Sequence, residues 1–392
     1  MGFRTSVTSI RSRCSTTSVN LSAMIVALSH LIYVPAIPLV QDELGVSAAS
    51  VALTIAAFTI SQSVAQVLVG PMADRSNGTR LLRVGLGLFL VSNLVILMVP
   101  TMAGLMAGRI ATGFGAGMVA GAGYALVAQS ASVGKGRERA LAMYQGITAV
   151  GAVAGPSSGS AIVAATGRWE DVFVVLVAAS AIALVTSFLL PPPPVRFHAP
   201  APAEMLRAAR NPGVLIMAAV SGVVGVTIMT MHSSLAFIFR AGELPSQWMS
   251  SVGFAMIPCG VLSGSFLVRS LLQRYEARTL LGISLTALGT AIAAFGAVHA
   301  WAGASLLLFP LLAASGVGLG AGMALSIGVA TSLAASSPGT VSAVVVVARN
   351  LGTTIAPFIV GIAYDIKALW LAYVVAVAVS YTHLTLPTTP YV

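Results

Sequence analysis

The chain of 392 residues is 57% hydrophobic and only 8% charged, with a mean hydropathy of +0.96. A soluble domain carries about 25% charged residues, so a water-soluble fold of this length is excluded. The formal net charge of +10 would suggest a nucleic-acid partner only if the basic residues sat on a soluble surface; their placement along the chain argues otherwise.

Near-continuous apolar stretches of about 20 residues recur, the length that spans a bilayer. They fall near 19–40, 48–70, 81–100, 103–130, 141–164 and 172–190, then near 213–239, 247–268, 279–299, 303–333 and 340–362, with a last one starting near 367. Backbone in lipid must satisfy its own hydrogen bonds, so these are helices. Residues 1–18 read as a basic, Ser/Thr-rich cytoplasmic tail rather than a signal peptide, because the apolar run that follows is long enough to remain as a span. The sets 19–190 and 213–378 are expected as two six-helix halves. Between them, 191–212 opens with Pro191 to Pro194 and continues polar, as a cytoplasmic linker does.

Orientation follows lysine and arginine. Arg4, Arg11 and Arg13 precede the first span. Arg75, Arg80 and Arg83 follow the second, Lys135, Arg137 and Arg139 the fourth. Arg196, Arg207 and Arg210 lie in the linker, and Arg269, Arg274 and Arg278 follow the eighth span. The opposite side holds Arg168, Arg240 and Lys367. Both termini are therefore expected in the cytoplasm, in a multi-pass protein of the bacterial inner membrane, and the high pI reflects orientation.

The halves repeat. Gly113-Phe114-Gly115-Ala116-Gly117-Met118 returns as Gly318-Leu319-Gly320-Ala321-Gly322-Met323, 205 residues later. Gly151 and Pro156 return as Gly352 and Pro357 at an offset of 201, and Arg75 with Leu81-Leu82 as Arg274 with Leu280-Leu281 at 199. Parallel repeats of this kind place a substrate site between halves near the bilayer midplane. The segment 379–392 is polar where the twelfth helix should continue; Val379 to Thr388 resembles a translated sequencing adapter, so this tail is taken as non-native and the last helix as truncated.

Gly70-Pro71-Met72-Ala73-Asp74-Arg75, followed by Gly78 and Arg80, resembles the loop 2–3 signature of the major facilitator superfamily. The stretch Ser76 to Arg80 departs from it by one inserted residue and a Thr in a usually basic place. The resemblance implies an all-α membrane protein with the major facilitator fold: twelve helices in two halves, the last one truncated here. It also implies a charge latch at Asp74, Arg75 and Arg80. Arg109 with Thr112 and Gly113 resembles the fourth-span signature, whose arginine is implicated in proton coupling; a buried arginine marks a functional site by default. Gly151, Gly155, Pro156 and Gly159 resemble the fifth-span signature of the antiporters. Small residues permit close helix approach, and Pro156 weakens its helix. This string also spells G-x-S-x-G, but inside an apolar helix rather than on a strand–turn–helix elbow, so no hydrolase is implied. Tyr33-Val34-Pro35-Ala36-Ile37-Pro38, with Gly167-Arg168-Trp169 and Phe173, resembles the bicyclomycin/chloramphenicol-resistance branch of drug:proton antiporters.

That branch often carries an acid in the first span two positions before the tyrosine; here the position is Leu31. All ten acidic residues (Asp42, Glu43, Asp74, Glu138, Glu170, Asp171, Glu204, Glu243, Glu276 and Asp365) read as loop or helix-end positions. The polar candidates for a substrate cavity are instead His30, Tyr33, Tyr124, His232, Arg349 and Asn350; histidine titrates near neutral pH. The cysteines, Cys14 and Cys259, form no metal or disulfide pattern, and no cofactor or metal is expected. The leading expectation is a monomeric secondary transporter that exports small amphipathic or neutral compounds by alternating access, coupled to protons. The alternative is an anionic metabolite paired with Arg349. A third reading, a non-transporting sensor or enzyme, lacks both an appended soluble domain and a catalytic cluster.

Overall fold

The computed structural model describes residues 2–75, 77–130, 135–190, 210–241, 247–303, 305–333 and 338–382, with positions 203 and 207. All regular structure among them is helical. In chain order the helices are α1 (Gly2–Leu31), a 3-10 turn (Val34–Ala36), α2 (Ile37–Leu44), α3 (Ala48–Arg75), α4 (Gly78–Met98), α5 (Met102–Ser130), α6 (Lys135–Thr166) and α7 (Glu170–Ser187). They continue with α8 (Pro212–Ala241), α9 (Gln247–Leu271), α10 (Ala277–Ala302), α11 (Leu308–Leu333), α12 (Pro338–Asp365) and α13 (Trp370–Thr382). Most of the linker and the tail beyond Thr382 lie outside the described residues.

Ten of the described stretches are long and apolar enough to cross a membrane. Large apolar side chains are exposed on these helices, such as Ile182, Val185 and Phe266, a surface that suits lipid. At 13 residues, α13 rises only about 20 Å, short of the roughly 30 Å hydrocarbon core.

The first span differs from the expectation. Helix begins at Gly2 instead of near 19, and the stretch 19–40 is not one helix. Pro35 has no N–H to give the carbonyl of Leu31, so α1 ends there. The chain restarts as α2 with a proline in its first turn, where a missing N–H costs nothing. Gly45, at φ 63°, closes α2 in the left-handed region and returns its N–H to the carbonyl of Gln41.

The chain forms two compact units. The first comprises 1–33, 57–155 and 166–199; the second comprises 34–56, 156–165 and 200–392.

In the first unit, α5 is the hub. A Cβ on Gly113 would collide with the carbonyl of Phe58 in α3, and one on Gly117 with that of Gln62. Gly115 does the same for α4, against the carbonyl of Gly85 and the backbone of Phe89. Gly151 of α6 meets the carbonyl of Met24 in α1. Arg83 of α4 donates from Nε and Nη2 to the carbonyl of Ser187, at 3.2 and 3.0 Å, and lies 4.7 Å from the ring of Phe188. It thereby caps the C-terminus of α7, the favoured place for a cation.

In the second unit, α11 is packed the same way. Gly316 and Gly320 press on the carbonyls of Ile257 and Val261 in α9, and Gly318 on Ser284 and Leu288 in α10. Gly352 of α12 meets the carbonyl of Gly222 in α8, as Gly151 meets Met24. Among the glycines of α5 and α11, equivalence by contact is therefore Gly113 with Gly316, Gly115 with Gly318 and Gly117 with Gly320. That offset is 203, not the 205 at which the letters match, because which face a glycine occupies, not its neighbours in sequence, decides what it touches.

The N-terminus of α3 belongs to the second unit. Ser47 Oγ accepts from Ser50 N at 3.1 Å, and Asp365, at the end of α12, accepts from Ala48 N at 3.2 Å and Ala49 N at 3.3 Å. Three otherwise orphaned N–H groups are satisfied, one pair of them by a residue over 300 positions away.

Two alanine substitutions separate packing from propensity. Gly320→Ala drives a methyl into the Val261 carbonyl and should lower the melting temperature by about 3 °C or more, on an overpacking cost of about 1–3 kcal/mol. Gly87→Ala meets nothing within 4 Å and should leave stability unchanged or raise it by up to about 1 kcal/mol. Thermal unfolding of the purified protein in detergent distinguishes the two.

Candidate functional site

In the first unit, six of the residues singled out by sequence converge. Arg109 stands about two turns into α5 and is completely buried. Gly113, one turn on and on the same face, lets the backbone of α3 close in at Phe58. The ring of Phe58 consequently lies 4.2 Å from the Arg109 guanidinium carbon. Tyr33, buried just after α1, places its ring 5.3 Å from the same carbon and packs on Phe173 of α7, centroids 5.4 Å apart. Trp169, fully buried beside the left-handed Gly167, meets Phe173 edge-on at 5.9 Å. His30 completes the cluster: its ring stands edge-on to Phe58 at 5.4 Å, and its Nε2 is 3.4 Å from Thr59 Oγ1.

The guanidinium is held by ring faces, with no acid paired to it among the described residues. None of its nitrogens has a hydrogen-bond partner among the described residues, and neither does the hydroxyl of the neighbouring buried Thr112. Cation–π attraction of this kind is worth about 2 kcal/mol when desolvated, well below the cost of burying an unpaired charge.

Every acidic residue assigned to a described helix sits at or near its end: Asp42 and Glu43 in α2, Asp74 in α3, Glu138 in α6, Glu170 and Asp171 in α7, and Asp365 in α12, with Glu276 just before α10. Glu204 and Glu243 lie outside the described residues.

In the second unit, α8 carries a buried polar run of Thr227, Thr230, His232, Ser233 and Ser234. His232 Nδ1 is 2.7 Å from the carbonyl of Ile228. That contact makes Nδ1 the protonated nitrogen and Nε2 the acceptor, and Nε2 is buried without a hydrogen-bond partner among the described residues. Arg349 and Asn350 lie on α12 beside α8, where Gly225 closes on the Arg349 carbonyl. Arg349 is half-buried. Asn350 is buried, and its carbonyl accepts from Thr353 and Thr354, each at 2.8 Å.

Of the other expected residues, Gly151 and Gly155 set the approach of α6 to the carbonyls of Met24 and Leu28. Pro156 and Gly159 are buried in α6, and Arg80 is exposed at the start of α4, its N–H bonded to the Asn77 cap at 3.1 Å. The side chains of Asp74, Arg75 and Tyr124 lie outside what is described. Phe58 and Thr59 are the residues that sequence reading missed; an aromatic in an apolar span carries no signal until Gly113 is known to face it.

The Major Facilitator Superfamily profile matches residues 19–357, and the chain belongs to that superfamily. It is a multi-pass membrane transporter, not an enzyme. Among curated relatives, it is 28% identical over 146 residues to the uncharacterised MFS-type transporter EfpA of Mycobacterium tuberculosis, covering 37% of this chain and 28% of EfpA. It is 26% identical over 164 residues to the multidrug resistance protein Stp of the same organism, covering 42% and 30%. With the methylenomycin A resistance protein of Streptomyces coelicolor it shares 24% over 149 residues, covering 38% and 31%. The chain thus spans about a third or less of the length of these relatives. A solved bacterial homologue of the human lysosomal transporter Spinster, inward-facing and unoccupied, matches with a TM-score of 0.76 at 16% identity, covering 97% of this chain and 96% of that one. That likeness establishes the fold.

Because Arg109 is buried with no acid beside it among the described residues, removing its charge should stabilise the protein. Arg109→Met is expected to raise the melting temperature, on the scale of about 1–4 kcal/mol seen when buried ions become apolar, while abolishing transport. A drop in thermal stability on Arg109→Met would show instead that the guanidinium is a structural strut.

Proposed function

We propose that this transporter exports small amphipathic or neutral compounds by alternating access of two six-helix halves, 19–190 and 213–378, as a proton-coupled monomer of the bacterial inner membrane with both termini in the cytoplasm. The observation that carries the reading is the aromatic cluster around Arg109, in helices whose acidic residues all stand at their ends. A buried cation with no acid beside it among the described residues repels a permanent cation. The multidrug and methylenomycin resistance proteins among the relatives support export of drug-like solutes.

In this reading Asp74, Arg75 and Arg80 form the cytoplasmic latch. Gly151, Gly155, Pro156 and Gly159 make α6 the flexible helix that follows the substrate. The residues expected to meet the substrate are His30, Tyr33 and Tyr124 of the first unit and His232, Arg349 and Asn350 of the second. His232, with one ring nitrogen tied to Ile228 and the other without a partner among the described residues, is the group assigned the proton that an acidic residue carries in the resembling antiporters. A second reading, transport of an anionic metabolite, is favoured by Arg349, a half-buried cation with no ion pair among the described residues.

Expression in an efflux-deficient host, with a panel of neutral, anionic and cationic compounds and with or without a protonophore, tests both. Neutral amphipathic compounds should be exported and the export lost with the protonophore; ethidium-like cations should be exported poorly. Strong energy-dependent ethidium export would overturn the first reading. Under the second, Arg349→Gln should raise the apparent KM for anions about tenfold or more and leave neutral solutes alone; an equal effect on both would remove it.

A further inference from the structure

The sequence repeat relates α3 to α9 through Arg75 and Arg274, and α6 to α12 through Gly151 and Gly352. Within the second unit these helices meet in two pairs, each joining a helix of the first set to one of the second. The tip of α3 meets the end of α12: a Cβ on the buried Gly361 would stand 2.8 Å from the Ala49 Cα and 2.9 Å from its nitrogen. The tip of α6 meets the start of α9, where Ser251 Oγ donates to Ser160 Oγ at 3.2 Å. At the offset of 201 that relates Gly151 to Gly352, Ser160 corresponds to Gly361. The two contacts are therefore copies of one seam.

Both copies are confined to helix tips. Only residues 48–56 of α3 and 156–165 of α6 belong to the second unit, and the rest of each helix belongs to the first. Arg75 stands at the far end of α3, and Lys135, Arg137 and Arg139 at the far end of α6. The seam thus lies at the end opposite these basic residues. It is made of Ala48, Ala49, Ser160, Ser251 and Gly361, side chains too small to interlock as ridges in grooves, so its surfaces can part without repacking.

One copy carries a charge and the other does not: at the same offset, Asp365 corresponds to Ala164. Asp365 Oδ1 accepts from Ala48 N at 3.2 Å and Oδ2 from Ala49 N at 3.3 Å. Amides in the first turn of a helix have no partner inside it, and an anion there is favoured by the helix dipole. The carboxylate is exposed, so water can take over both amides when the tips separate. The contact holds while closed and releases without burying a charge.

We propose that Asp365 is a positioning residue for transport: it clasps the tip of α3 to the end of α12, keeps this end of the transporter shut, and lets α3 go when the end opens. The proposal rests on the alternating-access reading. It places an acid at the opposite end of α3 from Asp74, the residue of the expected cytoplasmic latch. Weakening the clasp should shift the balance from shut to open forms.

The test uses the full chain in lipid nanodiscs, with both cysteines replaced by serine and spin labels attached at Leu53→Cys of α3 and Ile362→Cys of α12, two exposed positions. Double electron–electron resonance reads their separation. Asp365→Ala should raise the ratio of longer to shorter separations at least threefold. Asp365→Asn keeps an accepting oxygen without the charge and should raise it less. A cap that only stabilises the fold would lower the melting temperature and leave the separations alone, so an unchanged ratio in both variants overturns the proposal. Two populations in the parent that ignore both substitutions would leave alternating access standing and remove the clasp. A single short separation in all three proteins would count against both.

Discussion

Two helices surrounded by lipid gain little by hiding apolar side chains from one another, since the tails are as apolar as leucine; what they gain is close contact. In this chain that contact is made by glycine against a neighbour's carbonyl. Gly113 and Gly117 bring α3 onto α5, and Gly115 brings α4. Gly316, Gly320 and Gly318 do the same for α9 and α10 on α11. Each of these approaches leaves no room for a Cβ, so the packing of both units rests on positions where a single methyl is too much. Glycines weaken helices in water, but at these positions they are what allow the helices to meet.

The polar residues are placed by those contacts. Gly113 admits the Phe58 backbone, and Phe58 then covers Arg109 one turn away. Gly225 closes α8 on the Arg349 carbonyl, which fixes the segment that carries His232 beside α12. A buried guanidinium on ring faces and a histidine with an unmatched nitrogen cost stability. That cost is in keeping with the transport roles proposed for them.

Helix ends follow a different economy, since there the backbone has orphan groups to satisfy. Arg83 covers the carbonyls at the end of α7, and Asp365 covers the amides at the start of α3.

The sequence by itself determined the membrane class, the superfamily and nearly every helix, because runs of about 20 apolar residues bounded by charges admit few other readings. It also determined that no acid stands mid-helix among the described spans, since that follows from position alone. Only the tertiary structure decided which side chains meet. That Arg109 lies on Phe58, that the first span breaks at Pro35 into two helices, and that the glycines of α5 and α11 correspond at 203 and not 205 all depend on which face of a helix meets its neighbour. In an apolar helix every face looks alike to a reader of sequence, and the choice is made by where the neighbour's backbone can come close.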